Sequence, residues 1–164
     1  MLQRVQTIFL LCVIISMILM LFLPIWEKAT GGENEGEQIT LNAFYQVHSQ
    51  AGDNGTEGQA EKKSTFYIAI FAVLAIAVAG TSMFKYNNRL TQIKLGALNS
   101  LLIAGAMGTS LYFAMGGEKI IDPGVQGSYQ LGFFMPVAAL IFNLMANRFI
   151  RKDEKLVKSV DRLR

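Results

Sequence analysis

Residues 5–26 read VQTIFLLCVIISMILMLFLPIW, twenty-two consecutive positions without an Asp, Glu, Lys or Arg. A helix rising about 1.5 Å per residue needs about 20 mostly apolar residues to cross about 30 Å of hydrocarbon, and this stretch has that length. Thirteen Ile, Leu, Phe or Val residues lie between Thr7 and Ile25, each worth about −0.3 to −0.6 kcal/mol at mid-bilayer, so insertion is favoured. The run exceeds a signal-peptide core of about 7–15 residues, and no A-x-A-like site follows Trp26, so it reads as a retained anchor.

Three further windows have the same character: Ser64–Phe84, Leu95–Gly117 and Pro123–Asn147 carry no charged side chain. All 27 charged residues of the 164-residue chain therefore fall outside 91 of its positions. The pattern predicts an all-α membrane protein, with four transmembrane helices in a bundle at about 7–25, 66–84, 95–115 and 131–150, forming one domain. A long external loop, 27–63, joins the first two helices, and a tail, 151–164, continues the fourth as a cytoplasmic helical extension. Pro136 predicts a bend or local unwinding near Gly132. A soluble globular enzyme, a disordered chain and a disulfide scaffold are excluded by this patterning. A formal net charge of +3 is too small to imply nucleic acid, and Cys12 is the only cysteine.

Eleven of the 15 basic residues fall on one side if the N-terminus, the 85–94 connection and the chain from Arg148 onward share it. The positive-inside rule then places both termini in the cytoplasm. Trp26, Tyr67 and Tyr112 are expected at the outer interface and Tyr86 at the inner one. In the external loop, Gly, Glu and Asn dominate 29–37 and 52–58, which predicts mobile flanks. Between them Ile39–Val47 is β-prone and predicts a short strand or an interfacial segment. Asn54-Gly55-Thr56 matches the N-glycosylation pattern, which matters only in a pathway that glycosylates.

Chemistry-bearing constellations are scarce. His48 is the only histidine, and no Asp, Glu or His falls in a span to activate a serine or hold a metal or haem. No cofactor, metal site or catalytic residue is expected, and proton relays lack their usual intramembrane carboxylates. Helix packing is better supplied. Gly96, Ser100, Ala104 and Gly108 recur every four residues along the third span, and the second supplies small residues, among them Ala75 and Ala79, on a comparable face. Asn99 and Asn143 are placed to hydrogen-bond between the third and fourth spans. From Arg148 onward, Phe149, Leu156, Val160 and Leu163 form a narrow apolar stripe and a candidate docking face for a partner or a second copy. The expected role is a non-catalytic accessory or scaffold subunit of the inner membrane, with the lipid bilayer and a membrane-protein partner or homo-oligomer as its surroundings. A small oligomeric channel or carrier is the alternative.

The residues at the two ends, Met1-Leu2-Gln3-Arg4-Val5-Gln6-Thr7 and Ala146-Asn147-Arg148-Phe149-Ile150-Arg151-Lys152-Asp153-Glu154 followed by Val160-Asp161-Arg162-Leu163-Arg164, resemble a family of small Bacteroidota membrane proteins catalogued as domain of unknown function 4293. The resemblance covers the whole chain, least clearly in the external loop. It implies a four-helix protein of the cytoplasmic membrane of a Gram-negative bacterium and supplies no activity, cofactor or site.

Overall fold

A computed structural model describes residues 2–30, 36–49, 60–85, 88–120 and 124–161. Four helices, α1 (Leu2–Phe22), α2 (Phe66–Phe84), α3 (Arg89–Glu118) and α4 (Leu131–Asp161), are each long and apolar enough to cross a bilayer. Pro24 ends α1, because the residue before a proline is held out of the helical region. α3 starts at Asn88, whose Oδ1 accepts from the Thr91 amide at 3.2 Å, a side-chain cap. α4 stays helical through Pro136 from Leu131 to Asp161, so the unwinding expected near Gly132 does not occur.

The helices pack in ring order, α1 on α2 and α4, α3 on α2 and α4. Their buried positions fall along a line of one spacing. The line runs through Gln6, Leu10, Val13, Met17 and Met20 in α1, Ile68, Ala72, Ala75, Ala79 and Ser82 in α2, and Pro136, Ala139, Asn143, Ala146 and Ile150 in α4, with Ser16, Ala69, Gly132 and Asn147 buried beside it. Steps of four and three residues alternate, the 3.5-residue seam by which antiparallel helices interdigitate at about 20°. In α2, α3 and α4 the seam is rich in small and polar residues while Val73, Leu101 and Ile141 face outward, and α1 contributes the larger Leu10, Met17 and Met20 to the same core.

The all-α expectation is corrected by a five-stranded antiparallel sheet at the end of the bundle away from the termini. Its strands are β1 (Trp26–Ala29), β2 (Gln38–Leu41), β3 (Tyr45–Ser49), β4 (Ala60–Ser64) and β5 (Ser128–Tyr129), in the order β4-β3-β2-β1-β5. The segment read as a long external loop is therefore a four-stranded meander, and β5 joins it from the connection between α3 and α4. Two strands replace the single one expected over Ile39–Val47, because the Leu41 strand pairs back on Gln46 across a turn. The other strands carry no local signature, β5 because it is only two residues long. WEKA and AEKKS carry charges that lower intrinsic β preference, and their pairing depends on neighbours distant in sequence. All five residues of β4 are exposed, so no apolar alternation marks it.

Pairing of Trp26 with Leu41 and Leu41 with Gln46, and of Lys28 with Ile39 and Ile39 with His48, sets two rows on one face. That face lies over the helix ends. Trp26, expected at the lipid interface, is only 1% exposed. Gly117 at the end of α3 and Gly127 before β5 make room for its ring: a Cβ on Gly117 stands 2.8 Å from the indole, and one on Gly127 overlaps it. Tyr67 and Tyr112 are exposed, and Tyr86 lies outside the described residues.

Candidate functional site

Two polar constellations stand out against this apolar frame. The first is under the sheet. Alternation along β1 turns Trp26 and Lys28 inward and Glu27 and Ala29 outward, so the Lys28 side chain, 0% exposed, enters the core beside the end of α3. Its Nζ donates to the Glu118 carbonyl oxygen at 2.8 Å and stands 3.5 Å from Glu118 Oε1. The Glu118 carboxylate in turn accepts from the Gly127 amide at 3.2 Å. A cation here meets the unsatisfied carbonyls and the negative pole of α3, which offsets its desolvation. In the sequence Lys28 is one of four basic residues, with Lys62, Lys63 and Lys119, on the side opposite the termini, with nothing in its charge to mark it for burial. The available signal was its place two positions from Trp26 in a short extended segment.

His48 lies on the same face, with Nε2 3.9 Å from Glu37 Oε2. Gln46, 4% exposed, has its Nε2 unpartnered near Gly117. Among the described residues no three of His, Cys, Asp and Glu come together as a metal cage.

The second constellation joins α3 to α4. Asn99 Nδ2 donates to Asn143 Oδ1 at 3.3 Å. Asn143 Nδ2 donates at 2.8 Å both to the Gly96 carbonyl and to Ser100 Oγ, and Ser100 Oγ donates to Gly96 O at 3.1 Å. One carboxamide thus ties three positions of the facing helix. A turn nearer the chain termini, Gln92 Nε2 donates to Ser82 O of α2 at 2.8 Å.

Gly96, Asn99 and Asn143 are buried and Ser100 partly so, whereas Ala104 and Gly108 lie on the exposed side of α3. A Cβ added at Gly96 overlaps the Asn147 carboxamide; at Gly108 it meets nothing within 4 Å. Four residues turn a helix by about 400°, so a four-residue ridge drifts about 40° per step away from a straight seam. The buried line of α3 instead follows Gly96, Asn99, Ile103, Ala106 and Ser110. Ala75 and Ala79 sit in the buried seam of α2.

Of the stripe residues, Phe149 stacks on Phe9 of α1 with ring centroids 5.5 Å apart, both half-buried between α1 and α4. Leu156 is 49% exposed on the projecting part of α4. The Val160 side chain and Leu163 lie outside the described residues, as does the Asn54-Gly55-Thr56 sequence. Arg89 holds the root of this extension: Nη2 stands 3.1 Å from Asp153 Oδ2, and Nη1 donates to Asp153 O at 3.0 Å.

No curated protein matches the chain. A family model described as a domain of unknown function, DUF4293, matches residues 2–163, from the first turn of α1 past the end of α4, and the chain belongs to that family.

Proposed function

We propose that the chain is a non-catalytic accessory or scaffold subunit of a bacterial inner-membrane complex, its four helices crossing the bilayer and both termini cytoplasmic. The observation that carries this reading is the use made of the polar groups within the spans. Asn99, Asn143, Ser100 and Gln92 bond helix to helix, the arrangement of a structural bundle. Surfaces for other chains remain at both ends, in the exposed strand β4 and in the part of α4 beyond Asp153. The basic residues Arg148, Arg151, Lys152 and Lys155, flanking Asp153 at the root of that extension, favour the cytoplasmic side.

The test is purification of the tagged protein from its native membrane in mild detergent, followed by mass spectrometry. A stoichiometric membrane partner is expected, lost when Leu156–Arg164 is deleted while insertion persists. A protein that migrates alone as a monomer overturns the proposal.

A further inference from the structure

Where α3 meets α4 toward the chain termini, a groove of about 620 Å³ opens on the side of the bundle. Its upper wall is cationic: Arg148, Arg151, Lys152 and Lys155. At about 100° per residue these four positions fall within one stripe about 100° wide, so their charges converge instead of spreading around the helix. All four are exposed, and among the described residues none has an ion pair. The nearby acid Asp153 is taken by Arg89.

Below the charges the lining becomes apolar and small. Leu144, 55% exposed, and Ala97 border the groove, with Ser100 at its inner side. Asn147 forms part of the floor. It is 8% exposed, and its Oδ1 has no hydrogen-bond partner. A carboxamide carries both acceptor and donor capacity, and a turn of its plane presents either to a ligand. From Leu144 to Lys155 the groove follows α4 for about 16 Å at about 1.5 Å per residue. It therefore runs from the apolar span into the zone where its charges begin.

We propose that this groove is a binding site for one anionic phospholipid, its headgroup phosphate among Arg148, Arg151, Lys152 and Lys155 near Asn147, and an acyl chain along Leu144 and Ala97. The occupant follows from the graded lining. A phosphodiester matches clustered guanidinium and ammonium groups, and only a lipid brings an apolar chain attached to that charge. Basic pockets between spans are suited to such headgroups. The site rests on α3 and α4 crossing the bilayer, and not on the subunit role.

The experiment uses the full chain in detergent, with phosphatidylglycerol, phosphatidylcholine or inorganic phosphate added. Native mass spectrometry counts bound lipid, and thermal unfolding reads its effect. Wild-type protein should retain one phosphatidylglycerol with at least about tenfold preference over phosphatidylcholine. The Arg148→Gln, Arg151→Gln, Lys152→Gln, Lys155→Gln variant should lose that preference. Lys62→Gln with Lys63→Gln, two charges removed at the sheet end, should keep it. Asn147→Ala should weaken binding at unchanged charge, which separates a built site from diffuse attraction. Equal retention by the fourfold variant, equal binding of phosphatidylcholine by wild type, or displacement by millimolar inorganic phosphate overturns the proposal. Carbonate extraction of membranes distinguishes the two failures: protein released by carbonate does not span the bilayer, whereas protein that stays embedded without lipid preference lacks only the site.

Discussion

At Lys28 a single side chain does what neither its charge nor its neighbours in sequence suggest. Its ammonium group closes the end of α3 through the Glu118 carbonyl at 2.8 Å, and Glu118 is itself 39% exposed. The buried partner should therefore matter more. Lys28→Met, which leaves a buried carbonyl without a donor, should cost about 1–3 kcal/mol, and Glu118→Gln no more than about 1 kcal/mol, since water screens the exposed carboxylate. Thermal unfolding in detergent checks the order, and a larger loss from Glu118→Gln would contradict it. Two glycines of α3, Gly96 and Gly108, offer a parallel contrast. Gly96→Leu must displace the Asn147 carboxamide and should destabilise by about 1–3 kcal/mol. Gly108→Leu points into open space and should stay within about 0.5 kcal/mol. If association with another helix uses Gly108, its leucine variant will change oligomeric size while leaving thermal stability intact.

At the scale of elements, the junction between sheet and bundle turns on one strand. β1 lies between β2 and β5, the Ile25 amide donates to Leu41 O at 2.8 Å, and Gln130 donates to Ile25 O at 2.9 Å. Gly132 meets the same strand entrance: its amide donates to Pro24 O at 3.0 Å, and a Cβ there would stand 2.5 Å from that oxygen. Trp26 is the only tryptophan, so its fluorescence reports this junction. Gly127→Val should shift the emission to the red by driving the indole from its slot, with a wild-type-like spectrum as the contrary result. Between α3 and α4, Asn143→Leu removes three hydrogen bonds at about 0.6–1.7 kcal/mol each before relaxation. Adding Asn99→Leu should cost less than its separate effect, because the two share a bond. Full additivity would show that the pair is not coupled.

Across the whole molecule, the sheet ties the connection between α1 and α2 to that between α3 and α4 through β1 and β5. The ring of helices is thus clamped at one end, while the other carries both termini and the projecting α4. This geometry makes sidedness testable. In a Cys12→Ser background, Lys62→Cys should react with an impermeant maleimide applied to the outside of intact spheroplasts, and Lys155→Cys only after the membrane is opened. The reverse pattern would invert the proposed topology while leaving the bundle unchanged.

Four blank windows in the charge distribution were enough to reveal four long helices, because the length and polarity of a span are local properties. The α2 boundaries at Phe66 and Phe84 follow from the sequence directly. The hydrogen-bonding capacity of Asn99 and Asn143 is likewise written in their side chains. Tertiary structure alone decided the rest. Helices apolar on every side do not announce which side faces inward, so the 3.5-residue seam, and the departure of Ala104 and Gly108 from it, required the neighbouring helices. The charged β1 and β4 and the two-residue β5 have no periodic signature of their own. Only the register of β1 against β2 and β5 turned Lys28 inward, and only the meeting of α3 with α4 gathered the basic tail residues and Asn147 around one groove.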